Sequence, residues 1–162
     1  MIKESQQDHE IVKLDPIDKK ILKYLQQDGK ASLRAISKEI SSNVSTVKKH
    51  LDKLLEKDVI LDFVARVNCC KIGYREMVLI SIRVNNSVKI QEICESLEKF
   101  VEINAIYQVS GSFPLFCFAK CVEKMDQIEL LERIKMVNGI EEISTQVVLQ
   151  RIKEDMRVRI PE

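Results

Sequence analysis

Up to residue 58 the apolar residues of this chain return every three or four positions. At Val78, Ile80, Ile82 and Val84 β-branched residues return at every second one. The first spacing suits a helix with one buried face, the second a strand with one buried face. One regular element cannot satisfy both, so the chain divides into packed helices followed by a unit built on a sheet.

The helical half is punctuated clearly. Residues 1–13 are polar and without period, which reads as a mobile leader. In Leu14-Asp15-Pro16-Ile17-Asp18, Asp15 can accept the free amide protons of a first turn, and Pro16 lacks the donor that would go unsatisfied there. Asp18 adds negative charge at the positive end of the helix dipole. Ile17, Ile21, Tyr24 and Leu25 then form one apolar face, and Asp28-Gly29 ends the helix. Ser32 caps a short second helix with Leu33, Ile36 and Ile40 inward. Ser41-Ser42-Asn43 interrupts it, and Asn43 caps a third helix running to about Lys57, with Val47, Leu51 and Leu54 as its buried stripe. Three helices with so short a break before the third outline a helix-turn-helix over residues 14–58.

Residues 59–74 mix Val59, Ile60, Phe63, Val64 and Val67 with polar groups and read as a hinge strand or linker. In the next unit, over 75–152, Val78, Ile80, Ile82 and Val84 alternate with other residues, a β-branched strand face. A helix follows on Ile90, Ile93, Cys94 and Leu97, then a strand on Ile103, Ala105, Tyr107 and Val109. Ser110-Gly111-Ser112 turns into a third strand, Leu115 to Val122. Met125, Ile128, Leu131 and Ile134 stripe a second helix, and Ile143, Val147 and Leu149 mark a fourth strand. The order β-α-β-β-α-β predicts a ferredoxin-like sandwich, and residues 153–162 read as a tail. The expected fold is α+β in two domains: a winged-helix-like helix-turn-helix and a ferredoxin-like βαββαβ unit.

Composition narrows the chemistry. The longest uncharged stretch, Ile103 to Ala119, is interrupted by Asn104, Gln108, Ser110, Gly111, Ser112 and Pro114, which argues against a membrane helix. Five cysteines, an odd number, suit reduced thiols, and the expected location is the cytoplasm. With His9 and His50 the only histidines, there is no spacing for a zinc site and no paired nucleophile. No metal, cofactor or catalytic residue is expected.

Charge is nearly balanced overall, 26 basic residues against 25 acidic. Between Lys30 and Lys57, however, seven basic groups face three acidic ones. That local excess sits where a third helix must offer a face to a partner. Cations neutralise phosphates, while short side chains at a helix N-terminus reach base edges in the major groove of duplex DNA. Val44 and the Thr46 methyl suit thymine methyls, Lys48 or Lys49 suits guanine acceptors, and Lys53 suits a phosphate. Asn43, Ser45 and His50 complete the expected DNA-facing set. One such helix makes few contacts, so a homodimer presenting two copies is expected.

The run LDPIDKKILKYLQQDGKASLRAISKEI, then SSNVSTVKKHLDKLLEKDVI, closely resembles the N-terminal domain of Lrp/AsnC-type (feast/famine) transcriptional regulators. The resemblance continues through VSGSF at 109–113 and NGIEEISTQVVL at 138–149, from about Leu14 to Lys153. It implies a DNA-binding head, a hinge strand and a βαββαβ ligand-sensing unit, in dimers that assemble further, commonly to octamers, with an amino acid as effector. This chain has Ser41 and Asp58 where the family usually has glycine, Ser42 at an apolar position, and His50 where arginine is frequent. The effector pattern, Gly-x-aromatic-Asp in the family, reads Gly111-Ser112-Phe113-Pro114. Carried over by position, Thr145 and Gln146 on the last strand complete the expected effector site. The bland reading of Gly111 to Pro114 is a β-turn.

Two other functions are weighed against this one. RNA-recognition modules share the element order but stack bases on aromatics of the central strands, and Met77 to Val84 has none. Tetrapyrrole-decarboxylating enzymes resemble the same two-domain family. Catalysis there wants histidine or arginine in the C-terminal unit, where only Arg75, Arg83, Arg133 and Arg151 are available.

Overall fold

The computed structural model describes residues 11–85 and 87–161. The chain separates into two compact units, one comprising residues up to Ala65 together with those from Asp155 onward, the other Arg66–Glu154. Most of the leader expected over 1–13 lies outside the described residues.

The first unit holds α1 (Pro16–Leu25), α2 (Leu33–Glu39) and α3 (Val44–Glu56). Asp15 caps α1, accepting from Ile17 N at 2.8 Å and Asp18 N at 2.9 Å, while Asp18 Oδ2 accepts from Asp15 N at 3.1 Å. This reciprocal box satisfies donors that the first turn otherwise leaves bare. Ser32 and Asn43 cap α2 and α3 through Ala35 N and Thr46 N. Ile21, Leu22, Ile36, Ile40, Val47 and Leu54 form the core.

The C-terminal ends of α2 and α3 both close without glycine. Ser41 has φ 54° and Asp58 φ 52°, the left-handed region. After α2, Ser42 N bonds Ser37 O at 2.9 Å; after α3, Val59 N bonds Leu54 O at 2.9 Å and Asp58 N bonds Leu55 O at 3.1 Å. These are the hydrogen bonds of a Schellman ending. The positions where the sequence departs from the family's glycine are therefore positions whose backbone still adopts the glycine conformation.

The segment read as a tail closes the first unit. Gln26 grips Val158 twice, its Nε2 donating to Val158 O at 3.0 Å and its Oε1 accepting from Val158 N at 2.7 Å. Ile160 packs on the helical core. Within 59–74, expected as a hinge strand or linker, residues 61–68 belong to no helix or strand, since a strand needs a paired neighbour. Cys69–Ile72 is a single 3-10 turn.

The second unit orders β1 (Glu76–Val84), α4 (Ile90–Leu97), β2 (Ile103–Gln108), β3 (Leu115–Cys121), α5 (Lys124–Lys135) and β4 (Ile140–Val147) into one antiparallel sheet, β2-β3-β1-β4. This is the ferredoxin-like order. Val78, Ile80 and Ile82 of β1 lie beside Ala119, Cys117 and Leu115 of β3 and face α4 and α5, whose Ile93, Leu97, Leu130 and Ile134 complete the core. The opposite sheet face, with Leu79, Phe116 and Phe118, is half-buried.

Two stripes differ from expectation. In β2 the register shifts between Ile103 and Ala105, so that Asn104 has no partner and Ile106, beside Cys117, turns inward in place of Ala105 and Tyr107. One inserted residue reverses every later side chain of a strand. In α5, Gln127, Leu130 and Ile134 are buried, while Met125 and Ile128 are exposed. The helix is rotated from the face that Met125 and Ile128 suggested.

Candidate nucleic-acid interface

Asn43 spends its carboxamide oxygen on local structure, accepting from Thr46 N and from Ser45 Oγ, both at 2.7 Å. This starts α3 in a fixed direction and leaves Val44, Ser45, Lys48 and Lys49 exposed on its first turns. Val47, one position from Thr46 and Lys48, is buried and ties the helix to the core. The outer face is a shallow cleft of about 680 Å³ lined by Ser45, Lys48, Lys49, His50, Asp52, Lys53 and Glu56. Asp52 and Glu56 confine its positive character to the N-terminal half of the helix.

His50 and Lys53, both expected on the DNA, are half-buried and turned toward α1. His50 Nδ1 lies 2.8 Å from Asp18 Oδ1, and Lys53 Nζ donates to Asp18 Oδ2 at 2.6 Å. Asp15 Oδ2 stands further off, 3.4 Å from His50 and 3.7 Å from Lys53. The Asp18 side chain is 0% exposed. Burial alone would raise its pKa, but hydrogen bonds from Lys53, His50 and the Asp15 amide hold the carboxyl below its ordinary range. The same bond to Asp18 holds the Lys53 ammonium above its ordinary range.

Asp18 was legible only as a dipole-complementing charge. A sharper signal was present: it falls four residues after Leu14 and three and four before Ile21 and Leu22, on the stripe that faces the core. Asp15, Asp18 and His50 also have ligand atoms within 4.8 Å of one another. The Lys53 ammonium already supplies the positive charge there, and Asp15 is committed to capping, so the cluster reads as an internal ion pair.

The expected effector residues separate into two places. Gly111 has φ 112°, and Val109 N bonds Pro114 O at 2.9 Å, a closed turn between β2 and β3. Leu115, next to this turn, pairs with Ile82, whereas Thr145 and Gln146 pair with Ile80 and Leu79 further along β1. Ser112 and Gly111 are exposed, as are Thr145 and Gln146. Beside the turn lies a residue the effector reading passed over. The Arg83 guanidinium sits 4.7 Å from the Phe113 ring centre and 3.1 Å from Glu142, with its Nε buried and unbonded.

Residues 14–60 match the family model of winged helix-turn-helix DNA-binding domains, and residues 77–158 match that of the Lrp/AsnC ligand binding domain. The chain belongs to the Lrp/AsnC family. It is 35% identical to the HTH-type transcriptional regulator FL11 of Pyrococcus abyssi, over 92% of this chain and 98% of that one. The fold is that of Escherichia coli AsnC, with a TM-score of 0.83 at 21% identity, covering 93% of this chain and 100% of that one. It is also that of a Neisseria meningitidis transcriptional regulator solved as an L-Met complex, with a TM-score of 0.85 at 17% identity, covering 91% and 97%. This Lrp/AsnC protein is thus a helix-turn-helix transcriptional regulator with a ligand-binding domain. Among the described residues, no helix is long and apolar enough to cross a membrane.

Proposed function

We propose that this regulator reads duplex DNA with the first two turns of α3, two copies at a time, and that an amino-acid-like effector adjusts its affinity through the C-terminal unit. In this reading residues 14–58 are the reading head, 59–74 the joint and 75–152 the sensing and assembly unit. The observation that carries it is the capped N-terminus of α3, where Asn43 aims the helix and Val44, Ser45, Lys48 and Lys49 stand exposed on one short segment. Short polar and methyl groups there suit base edges, and the two ammonium groups suit phosphates or guanine. Thr46, partly buried, contributes its methyl at the edge of that surface.

Assembly into dimers, and of dimers into octamers, is supported by apolar side chains that one chain leaves in water. Phe63, Val64, Val67, Leu149 and Ile152 are more than half exposed. A monomer rarely leaves so many large apolar side chains uncovered in two short segments. An effector site drawing on Gly111, Ser112, Phe113, Pro114, Thr145 and Gln146 fits such an assembly, since a second copy can bring together the two sets that one chain keeps apart. The L-Met complex of the Neisseria relative supports an amino acid as the ligand class.

Selection from a random duplex pool, with and without an amino-acid mixture, tests the reading. A recovered two-fold site whose affinity shifts with the mixture is the expected result. Lys49→Ala lowers the salt dependence of binding by about 0.9 for one lost phosphate contact. Recovery of no site, or an unchanged slope in that variant, sinks the assignment of α3.

A further inference from the structure

His50 and Lys53 stand one helical turn apart on α3, and Asp15, the cap of α1, precedes Asp18 in its first turn by three residues. The two pairs face each other, with Asp18 receiving both α3 side chains and the Asp15 amide. We infer that Asp18 is a positioning residue for DNA reading, and that His50 and Lys53 set the seat of α3 by binding Asp18 instead of touching DNA. The inference rests on α3 being the DNA-reading helix.

A buried carboxylate needs all its acceptor positions served. Asp18 has three donors here, and withdrawal of Lys53 toward a phosphate would leave a buried carboxylate without its ammonium, holding only the His50 imidazole and the Asp15 amide. The Lys53 ammonium is thereby held on α1, 2.6 Å from Asp18 Oδ2 and 3.7 Å from Asp15 Oδ2. Lys49 precedes His50 by one residue, about 100° round the helix. Among the described residues no carboxylate lies within ion-pair distance of Lys48 or Lys49, which leaves both for a partner. The same helix therefore carries two kinds of lysine: two that face outward at its start and one that locks its middle. Asp18 belongs to the capping box of α1 as well, so the start of α1 and the middle of α3 share a single carboxylate.

The outward lysines and the locking lysine differ in what salt does to them. Binding of the full-length protein to its pool-selected duplex, and to a scrambled duplex of equal length, is measured across a salt series. Lys53→Met is expected to keep the wild-type salt slope while its preference for the selected duplex falls about tenfold, the scale of one lost base contact. Lys53→Arg, which keeps a cation for Asp18, is expected to restore that preference. A slope flattened by about 0.9 in Lys53→Met, as for a phosphate contact, would overturn the inference; an unchanged preference would as well. Lysine-reactivity labelling of the wild-type protein decides the matter independently of whether Lys53→Met folds. Lys48 and Lys49 should lose reactivity when duplex is added, with Lys53 poorly reactive throughout. A Lys53 that labels freely and is then protected by DNA contradicts the assignment. If the wild type selects no duplex, the DNA-reading assignment itself fails, and that is seen before any variant is compared.

Discussion

The two units treat buried polarity in opposite ways. The helical unit carries an ionised carboxylate into its interior and satisfies it with an imidazole and an ammonium from α3. The sheet unit, apart from the buried Gln127 amide on α5, centres on hydrocarbon and thiols: Val78, Ile80, Ile82, Leu115 and Ala119 with Cys117 and Cys121. Burial pushes the Cys117 thiol up to about 12 and, with nearby Glu102, Asp126 and Glu76, the Cys121 thiol up to about 11. Both act as small apolar fillers at neutral pH. A polar bond has direction and can fix how a helix sits, whereas apolar packing is indifferent to small rotations but strong in sum.

The largest test of that contrast is Ile80→Ala. It removes a fully buried side chain from the middle strand face and should cost about 3–4 kcal/mol. Hydrogen exchange should register the loss in β1 and β3 amides, with those of α1 and α3 unaffected. Next in size is Gly139→Ala. Its backbone has φ 91°, and a Cβ would come within 2.8 Å of Ile93 Cδ1 and Val88 Cβ. Strain and crowding together should cost about 3 kcal/mol. Gly111 shares the left-handed backbone, at φ 112°, but nothing lies within 4 Å of its added Cβ. Gly111→Ala should therefore cost only about 1 kcal/mol in thermal or denaturant unfolding.

Acid separates the units by a different route. Asp18 is held below its ordinary carboxylate range, so its contribution is complete above the unfolded value and disappears as pH falls through the folded one. Acid unfolding followed by exchange in α1 and α3 should steepen over that window, and Asp18→Asn should remove the steepening. The Lys53 side of the pair, raised above its ordinary range, is lost only in alkali. The smallest effect is a gain. Ser41→Gly and Asp58→Gly relieve left-handed strain and should each stabilise the first unit by about 0.5–1 kcal/mol. A loss in either variant would mean that the side chain contributes more than its backbone costs.

Much of this architecture was readable in advance, for identifiable reasons. Asp15, Ser32 and Asn43 cap helices because a short acceptor beside free amides acts over three residues, a distance that sequence displays directly. The alternation of Val78, Ile80 and Ile82 likewise reports which side of β1 is covered. The face of α5 was misjudged because Met125 and Ile128 suggest the same stripe as Leu131, and only the sheet beneath decides between neighbouring stripes. For the effector residues, chain order gave no hint that the 111–114 turn and Thr145 sit at different levels of β1.

What the chain determined locally, then, is the kind and order of its elements, their caps, and the exposed start of α3, since each depends on residues within a turn or two of one another. Tertiary structure alone decided that Asn104 is extra in β2, that Gln26 holds Val158, and that His50 and Lys53 turn toward Asp18. Those outcomes depend on partners outside the local turn: the neighbouring strand β3 for Asn104, Val158 for Gln26 and Asp18 for the two α3 side chains. A lysine's pattern position announces its charge, but which carboxylate or phosphate it neutralises is set by what the fold carries into its reach.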